Sequence, residues 1–560
     1  MNKYNVFLNE IFCDDKVFKT GNELNNMLQE RFGINTSNAR KVVSRACSAG
    51  VIASSKPVTF GNGQYVYFRN NSSLNTNVIK EITRKNRPPV YHLLTLLESN
   101  DGIISYYEGL KITASPLKKE KEKSNTLNEI IEMLESLKIV EIAKDKGIIY
   151  IILSNRKDHA INLMKKHRNN MIIDCMLIPD INNWLVKHNI IDNRNVVYRN
   201  KNLLSKGAEH NNNVWDAYAY TNTTGYNTVL ESSTERDSKK TLVVLDVVVF
   251  RNYTSSDVQG FLRRVQAVRS SAKTERKVLP IVVYKEITAH AYSQIKSLGF
   301  IMLNLGSIYG TNIYPIIQSV SNIRESMLHE FTGDIVDNVN FAMSTIESSG
   351  QNENLGNMKG DLFEALMYPA IKRMHPDSSI EQGRVLKRKN PDGTIRNYEY
   401  DIIVRDYNAR EIIVYEFKGR NSDIEIPLKP FDKPNTVKWF FGTTLVFARE
   451  ELQKGVQNPL PVKGCYITTA KFSEESLEFL NKINTHQKQK PNSFDVYYDG
   501  GKLIELLTNN KLDHIISVLK KYFIKQDYNR EKELNDEDVF GYEAPITKLE
   551  SIDDLDEYLF

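Results

Sequence analysis

The chain has 560 residues, of which 41% are hydrophobic and 26% charged, a balance that fits folded domains and excludes collagen-like or linker-like classes. A chain this long outgrows a single core, so three or four domains are expected. The formal charge of +5 conceals an asymmetry: residues 531–560 hold eleven Asp or Glu against two Lys, which leaves +14 on the other 530 residues. A basic body suits a polyanionic ligand, and the acidic tail reads either as a solvated extension or as an internal competitor for that ligand. No apolar run reaches the roughly 20 residues of a membrane-spanning helix, so no membrane association is expected. The N-terminus MNKYNVFLNEIFCDD carries acidic residues where a secretion signal keeps an apolar stretch. The four cysteines, Cys13, Cys47, Cys175 and Cys465, form no C-x-x-C pair. That spacing argues against a zinc ribbon or a disulfide framework and points to a reducing, cytoplasmic setting.

In residues 1–75 a helical stretch, GNELNNMLQERFG, precedes NTSNARKVVSRACSAGVI. Thr36 or Ser37 can cap this second helix, and Ala39, Val42, Val43 and Ala46 form an apolar stripe at helical spacing. Arg40, Lys41 and Arg45 fall off that stripe, where a recognition helix faces phosphates and bases. VTFGNGQYVYFRN then reads as two strands about a Gly-Asn-Gly turn. This is the order of a winged helix-turn-helix. Residues 87–158 repeat the plan: PPVYHLLTLLES and SNTLNEIIEMLESLKIV read as helices, and EIAKDKGIIYIIL as a hairpin turning at Lys146–Gly147, with the basic run LKKEKEKSN as a loop. Glu129, Glu132 and Glu135 on the last helix make this copy a poorer DNA reader, and such modules also dock proteins.

Residues 170–325 read as an α/β segment. TLVVLDVVVF is a buried central strand by its β-branched run, SDVQGFLRRVQAVRSSA a basic amphipathic helix, and KVLPIVVYKEITAHAYSQIKSLGFIMLNL a strand, a helix and a strand. Residues 326–355 give a helix and a polar linker.

The segment 350–525 carries the chemistry. GDLFEALMYPAIKRM is a helix burying Leu362, Phe363, Leu366, Met367, Ala370 and Ile371, with Glu364 beside that stripe. GRVLKRKNPDGTIRNYEYDIIVRD is a hairpin turning at Asn390–Pro391–Asp392–Gly393. Its second strand delivers Asp401 just before Ile402–Ile403–Val404, and after a turn at Tyr407–Asn408–Ala409 the strand EIIVYEFKGR carries Glu416 and Lys418. Two residues apart on a strand, these side chains share a face, and an antiparallel neighbour can bring Asp401 beside Glu416. Two carboxylates and the carbonyl of Phe417 form a hard oxygen site suited to Mg2+ or Mn2+, with Glu364 as a further ligand or support. Such an ion would polarise a scissile phosphate and acidify a water, with Lys418 orienting or helping to deprotonate it. An E-x-K on a strand is by itself a surface salt-bridge pattern. Here it is embedded in IIVYEF, where an unpaired charge is costly.

The order helix glutamate, then Asp, then E-x-K resembles the PD-(D/E)XK nuclease superfamily with the restriction-endonuclease-like fold. GCYITTAKFSEESLEFL followed by FDVYYDGGKLIELL is similar to the later half of Mrr-type restriction endonucleases, where a strand ending in threonines leads to a helix and then to a strand closing on an Asp-Gly turn. The resemblance spans about 150 residues. It implies a mixed four- or five-stranded sheet flanked by helices, magnesium dependence and phosphodiester hydrolysis. Asp401, Glu416, Lys418 and Glu364 take the catalytic positions. Mrr itself resembles a Q-x-K version, so Glu416 departs from it and a link to methylated DNA does not transfer.

The 170–325 segment parallels these parts, with Asp216 in VWDAYAY, Asp246 where Glu416 stands and Val248 in the lysine's place; it reads as a degenerate nuclease-like domain that is inactive. The arginines of its basic helix, Arg263, Arg264 and Arg269, are left for nucleic acid or a partner. Lys387, Arg388, Lys389 and Arg420 are placed to track a DNA backbone beside the site. His375 and His486 read as surface histidines, and Trp439–Phe440–Phe441 as core. No G-x-x-x-x-G-K-[ST] occurs, so no motor is expected. The expected whole is a multidomain α/β protein with winged helices: a metal-dependent endonuclease acting on DNA in restriction or anti-phage defence. Double-strand cutting would draw on two sites, as a homodimer supplies, and activity could await a partner subunit or trigger. Two alternatives are a non-catalytic DNA-binding or regulatory subunit, and a nuclease cleaving RNA.

Overall fold

The computed structural model describes residues 2–524 except 15–16, 57, 61–62, 71–74, 119–125, 193–194, 223–239, 272–276, 330–331, 392–394, 421–424 and 430–435. The acidic segment 531–560, the Gly-Asn of the first expected turn, Asp392–Gly393 of the second and most of the LKKEKEKSN loop thus lie outside the described residues. The chain is mixed α/β and divides into two units: Met1–Ile178, Leu185–Asn200 and Leu204–Leu305 form the first, and Pro179–Trp184, Lys201–Leu203 and the residues from Gly306 onward the second. Among the described residues no helix is long and apolar enough to cross a membrane.

The first unit opens with helices Lys3–Ile11, Gly21–Phe32 and Thr36–Ser48, and a three-stranded sheet in the spatial order Lys19–Thr20, Val66–Arg69, Ile52–Ser54. Ala39, Val43 and Ala46 are buried, Val42 is half-buried, and Arg40, Lys41 and Arg45 are exposed. Asn35, one residue before the expected caps Thr36 and Ser37, accepts the Asn38 N–H at 2.9 Å and starts the helix. The paired strand is Ile52–Ser54 rather than the VTFG segment, and Ser55 extends the pairing with its hydroxyl, which accepts the Val66 N–H at 3.1 Å. A second module repeats the element order: Pro88–Ser99, Ile103–Ser105, Tyr106–Thr113, Leu127–Ser136, Val140–Asp145 and Ile148–Leu153. Its helix Tyr106–Thr113 was not expected. Every residue but Tyr106 is buried, so no polar face marks its period. Its one signal is the capping box, in which Glu108 accepts the Ser105 N–H at 2.8 Å.

The remainder of the first unit is built on a five-stranded sheet of β1 (Val197–Tyr198), β2 (Ala217–Thr221), β3 (Thr241–Tyr253), β4 (Val278–Ile287) and β5 (Ile301–Asn304), side by side in that order. The first two pairings are antiparallel and the last two parallel. Helices Ser255–Ser271 and Ala289–Leu298 make the two parallel crossovers, as parallel neighbours require. The second unit threads another five-stranded sheet in the same way: β6 (Ser379–Lys389), β7 (Ile395–Asp406), β8 (Glu411–Lys418), β9 (Val462–Thr468) and β10 (Tyr497–Tyr498), antiparallel, antiparallel, parallel, parallel. Here the crossovers are Leu445–Gln453, with the turns leading into it, and Glu474–Thr485. The Asp-Gly expected to close β10 starts a helix instead: the Asp499 carboxylate accepts the Lys502 N–H at 2.9 Å and caps Gly500–Asn509.

Candidate active site

The β7–β8 register pairs Ile402 with Tyr415, which leaves Asp401 and Glu416 as the next positions along. Asp401 Oδ2 accepts the Phe417 N–H at 2.7 Å, so the carboxylate is folded back onto the edge of β8. Glu416 and Lys418 share one face as their spacing requires, with Lys418 Nζ 2.7 Å from Glu416 Oε1. The parallel neighbour β9 brings Tyr466 opposite Glu416 and Thr468 opposite Lys418, and the Thr468 hydroxyl donates to the Lys418 carbonyl at 2.9 Å. The structure therefore brings Asp401, Glu416 and Lys418 together.

Glu364 comes from helix Gly356–Met374, whose expected apolar stripe, Leu362 to Ile371, is buried. Its N-terminus is held by buried Asp180, which accepts the N–H groups of Asn357 and Met358 at 3.0 Å each. Gly419 lets the strand end run close under the helix: a Cβ there would meet Phe363 Cβ at 2.8 Å. Glu364, whose side chain is 31% exposed, has a cation beside it. Lys201 ion-pairs with Asp361 and lies 3.1 Å from Glu364. Asn202 donates to Glu399. Sequence reasoning missed Lys201, Asn202, Asp361 and Glu399. Glu399 was within reach, since it precedes Asp401 by two on the same strand and so shares its face; Lys201 left no local signal.

The named groups comprise Asp361, Glu364, Glu399, Asp401 and Glu416 against Lys201 and Lys418, an excess of negative charge. Burial, and then repulsion from Glu416 and Glu364, pushes the Asp401 carboxyl well above its ordinary range despite the opposing pull of Lys418. Glu399 is pushed up to about 7 by burial and its acidic neighbours, against the pull of Lys201. Asp361 rises to about 6, again from burial, with Lys201 opposing. Burial alone would lower Lys418, but Glu416 and Asp401 outweigh it and raise its ammonium above the normal lysine range.

The basic residues assigned to a DNA backbone divide. Lys387, Lys389 and Arg420 are exposed. Arg388 is spent on the fold, its guanidinium 2.5 Å from Glu450 and 2.6 Å from Glu451 and stacked 4.7 Å over the Phe447 ring. His375, expected at the surface, is buried between Asp406 at 2.9 Å and the Tyr415 hydroxyl at 2.8 Å, where both ring nitrogens find partners; His486 is exposed. Phe440 and Phe441 lie in the core.

The first unit repeats this local geometry. Ala217 of β2 pairs with Leu245 of β3, so Asp216 and Asp246 stand where Asp401 and Glu416 stand. Asp216 Oδ2 accepts the Val247 N–H at 2.8 Å, the counterpart of the Asp401–Phe417 bond. Val248 takes the position of Lys418. Arg264, which sequence reasoning left for nucleic acid or a partner, is instead buried, 2.9 Å from Asp246 and 2.8 Å from the Val214 carbonyl. A polar helix position facing a buried carboxylate is indistinguishable in sequence from one facing solvent.

Among the described residues no three His, Cys, Asp or Glu side chains converge as a ready-made metal cage. Magnesium does not demand one, since it is held through one or two carboxylates with waters and phosphate oxygens filling the rest. Compared with family models, curated proteins and solved structures, the chain matches none.

Proposed function

We propose that the second unit is a Mg2+- or Mn2+-dependent endonuclease of the PD-(D/E)XK, restriction-endonuclease-like kind, hydrolysing DNA phosphodiesters in restriction or phage defence. The observation that carries the reading is the meeting of Asp401, Glu416 and Lys418 on adjacent strands of a five-stranded mixed sheet, with Asp401 locked to the Phe417 N–H. The surplus of carboxylates supports a cation at Asp401 and Glu416, because like charges held together under burial favour an added positive charge. An ion there, completed by the Phe417 carbonyl, would supply Lewis-acid stabilisation of the scissile phosphate.

Within this reading the chain's own groups have distinct tasks. Asp401 and Glu416 hold and orient. Lys418, 2.7 Å from Glu416, acts as a positive donor to the phosphate or to the attacking water, which it orients or helps to deprotonate. Glu364 serves through Lys201, as a counter-charge. We assign the two N-terminal modules a winged-helix role, in which Arg40, Lys41 and Arg45 bind DNA phosphates.

The direct test incubates supercoiled plasmid with the full chain and Mg2+ or Mn2+, beside an EDTA control and the Asp401→Asn variant. Metal-dependent nicking or linearisation that the variant lacks is the expected result; cutting at the parent rate by Asp401→Asn would sink the assignment. A non-catalytic DNA-binding subunit would show no cleavage and no Mg2+-induced thermal shift, and an RNA nuclease would leave plasmid intact but cut RNA at the same residues.

The N-terminal assignment has its own readout. The combined change Arg40→Ala, Lys41→Ala and Arg45→Ala should weaken DNA binding uniformly across sequences and reduce the slope of log Kobs against log salt by about 2–3. An unchanged slope would leave these residues without a role in DNA contact and favour the protein-docking alternative.

A further inference from the structure

Asp216 and Asp246 lie at the counterparts of Asp401 and Glu416, yet both are only 1% exposed, and their charges are already balanced. Lys111, from helix Tyr106–Thr113, ion-pairs with Asp216 and sits 2.8 Å from Asp246 Oδ1. Arg264 contacts the same Asp246 oxygen at 2.9 Å. The hydroxyls of Tyr107 and Tyr253 donate to Asp216 Oδ1 and Asp246 Oδ2, each at 2.8 Å. Arg199 stacks 4.0 Å over the Tyr107 ring, with Nη1 3.9 Å from Asp216. The two cation-bearing helices are held in backbone contact: a Cβ at Gly260 would meet the Lys111 carbonyl at 2.7 Å and the Ile112 carbonyl at 2.9 Å. Only glycine permits that approach, and the approach fixes where the Lys111 amine can reach.

We propose that Lys111, together with Arg264, supplies the resident positive charge of a silenced copy of the second unit's site, and that Asp216 and Asp246 form a latent divalent-cation site which these two side chains keep filled. Val248 stands in the lysine's place on the strand, and an amine from a neighbouring module supplies the charge instead. A tethered ammonium competes with Mg2+ at a fixed, high local concentration. Displacing it would strand a buried lysine without a partner, a costly state. The copy thus fastens the helix Tyr106–Thr113 to the sheet and takes no metal. No substrate phosphate reaches carboxylates so enclosed.

The proposal rests on the metal reading of Asp401 and Glu416, and Mn2+ counting by electron paramagnetic resonance separates the two. The native full chain is expected to bind one Mn2+, and Asp401→Asn with Glu416→Gln none. Adding Lys111→Met together with Arg264→Met, which keep the apolar stems but remove both cations from Asp246, to that silenced background should restore one Mn2+ per chain and a Mn2+-dependent rise in Tm. Asp246→Asn should abolish both gains. One ion bound by the silenced chain and removed by Asp246→Asn would overturn the proposal, because the site would then be open as it stands. A folded chain with both substitutions and no gained ion would overturn it equally. Lys111→Gln with Arg264→Gln, which retain polar heads for the two carboxylates, repeats the test should the methionine chain not fold. A native chain that binds no Mn2+ would instead remove the metal reading of the second unit, whatever the doubly substituted chain shows.

Discussion

Replacing Lys418 with alanine is expected to lower metal-dependent cleavage by ~10²–10³-fold while leaving Mn2+ binding in place. The two effects separate because Lys418 is an ion-pair partner of Glu416 at 2.7 Å and no metal ligand. Its removal takes away the donor aimed at the developing phosphate charge but leaves both oxygen ligands. In the metal-free fold Glu416 and Asp401 hold its ammonium above the ordinary lysine range. Lys418→Arg keeps the charge but replaces a compact ammonium with a planar fork, so partial activity is expected. Full activity in Lys418→Ala, or loss of Mn2+ binding in a variant that melts like the parent, would contradict this division of labour.

The parts of the site that were legible in the sequence are those joined by short-range geometry. Glu416 and Lys418 are two apart on one strand, and Asp401 lies one hairpin upstream, so alternation and a turn suffice to bring them together. The stripe Leu362 to Ile371 was legible because helical period and burial coincide there. What escaped depends on contacts across long sequence separations. Lys201 meets Asp361 and Glu364 from 160 and 163 residues away, and Lys111 meets Asp216 across 105. Nothing near Lys201 or Lys111 in the chain marks either as different from a solvated lysine. In the 170–325 segment Asp216, expected on a strand, lies one residue before β2, Asp246 and Val248 lie on β3, and the sequence marks only that a strand lysine is absent. The charge is present, delivered by another module, and only the packing of the helices against each other at Gly260 makes that delivery possible.

Lys201→Met is expected to destabilise the second unit by ~3–5 kcal/mol near pH 8, the cost of leaving buried carboxylates without their partner, with a smaller loss near pH 5. The sign follows from the carboxylates it faces. Asp361 stands at about 6 and Glu399 at about 7 in the fold, above the ~4 of an unfolded chain. The folded state therefore binds more protons than the unfolded one across that window, and stability falls as pH rises through it. In the native, metal-free protein, Glu399 alone accounts for a loss on the order of 2 kcal/mol between pH 4 and 8, after allowing for the solvent that still reaches it. Asp180, also raised to about 7 by burial, acts in the same direction within the second unit. Lys201 is charged throughout this range, because burial is outweighed by Asp361, Glu364 and Glu399 and its ammonium is raised well above the ordinary value. Removing it lifts Asp361 further, so the variant's deficit grows with ionisation and shrinks with protonation. Urea melts of native and Lys201→Met protein in EDTA at pH 5, 6.5 and 8 measure both curves. A deficit that is flat with pH, or larger at pH 5, would show that Lys201 contributes packing by its stem rather than compensation of these carboxylates. Native melts whose stability rises steadily from pH 5 to 8 would show that the acidic cluster is not held under the burial and mutual repulsion described above.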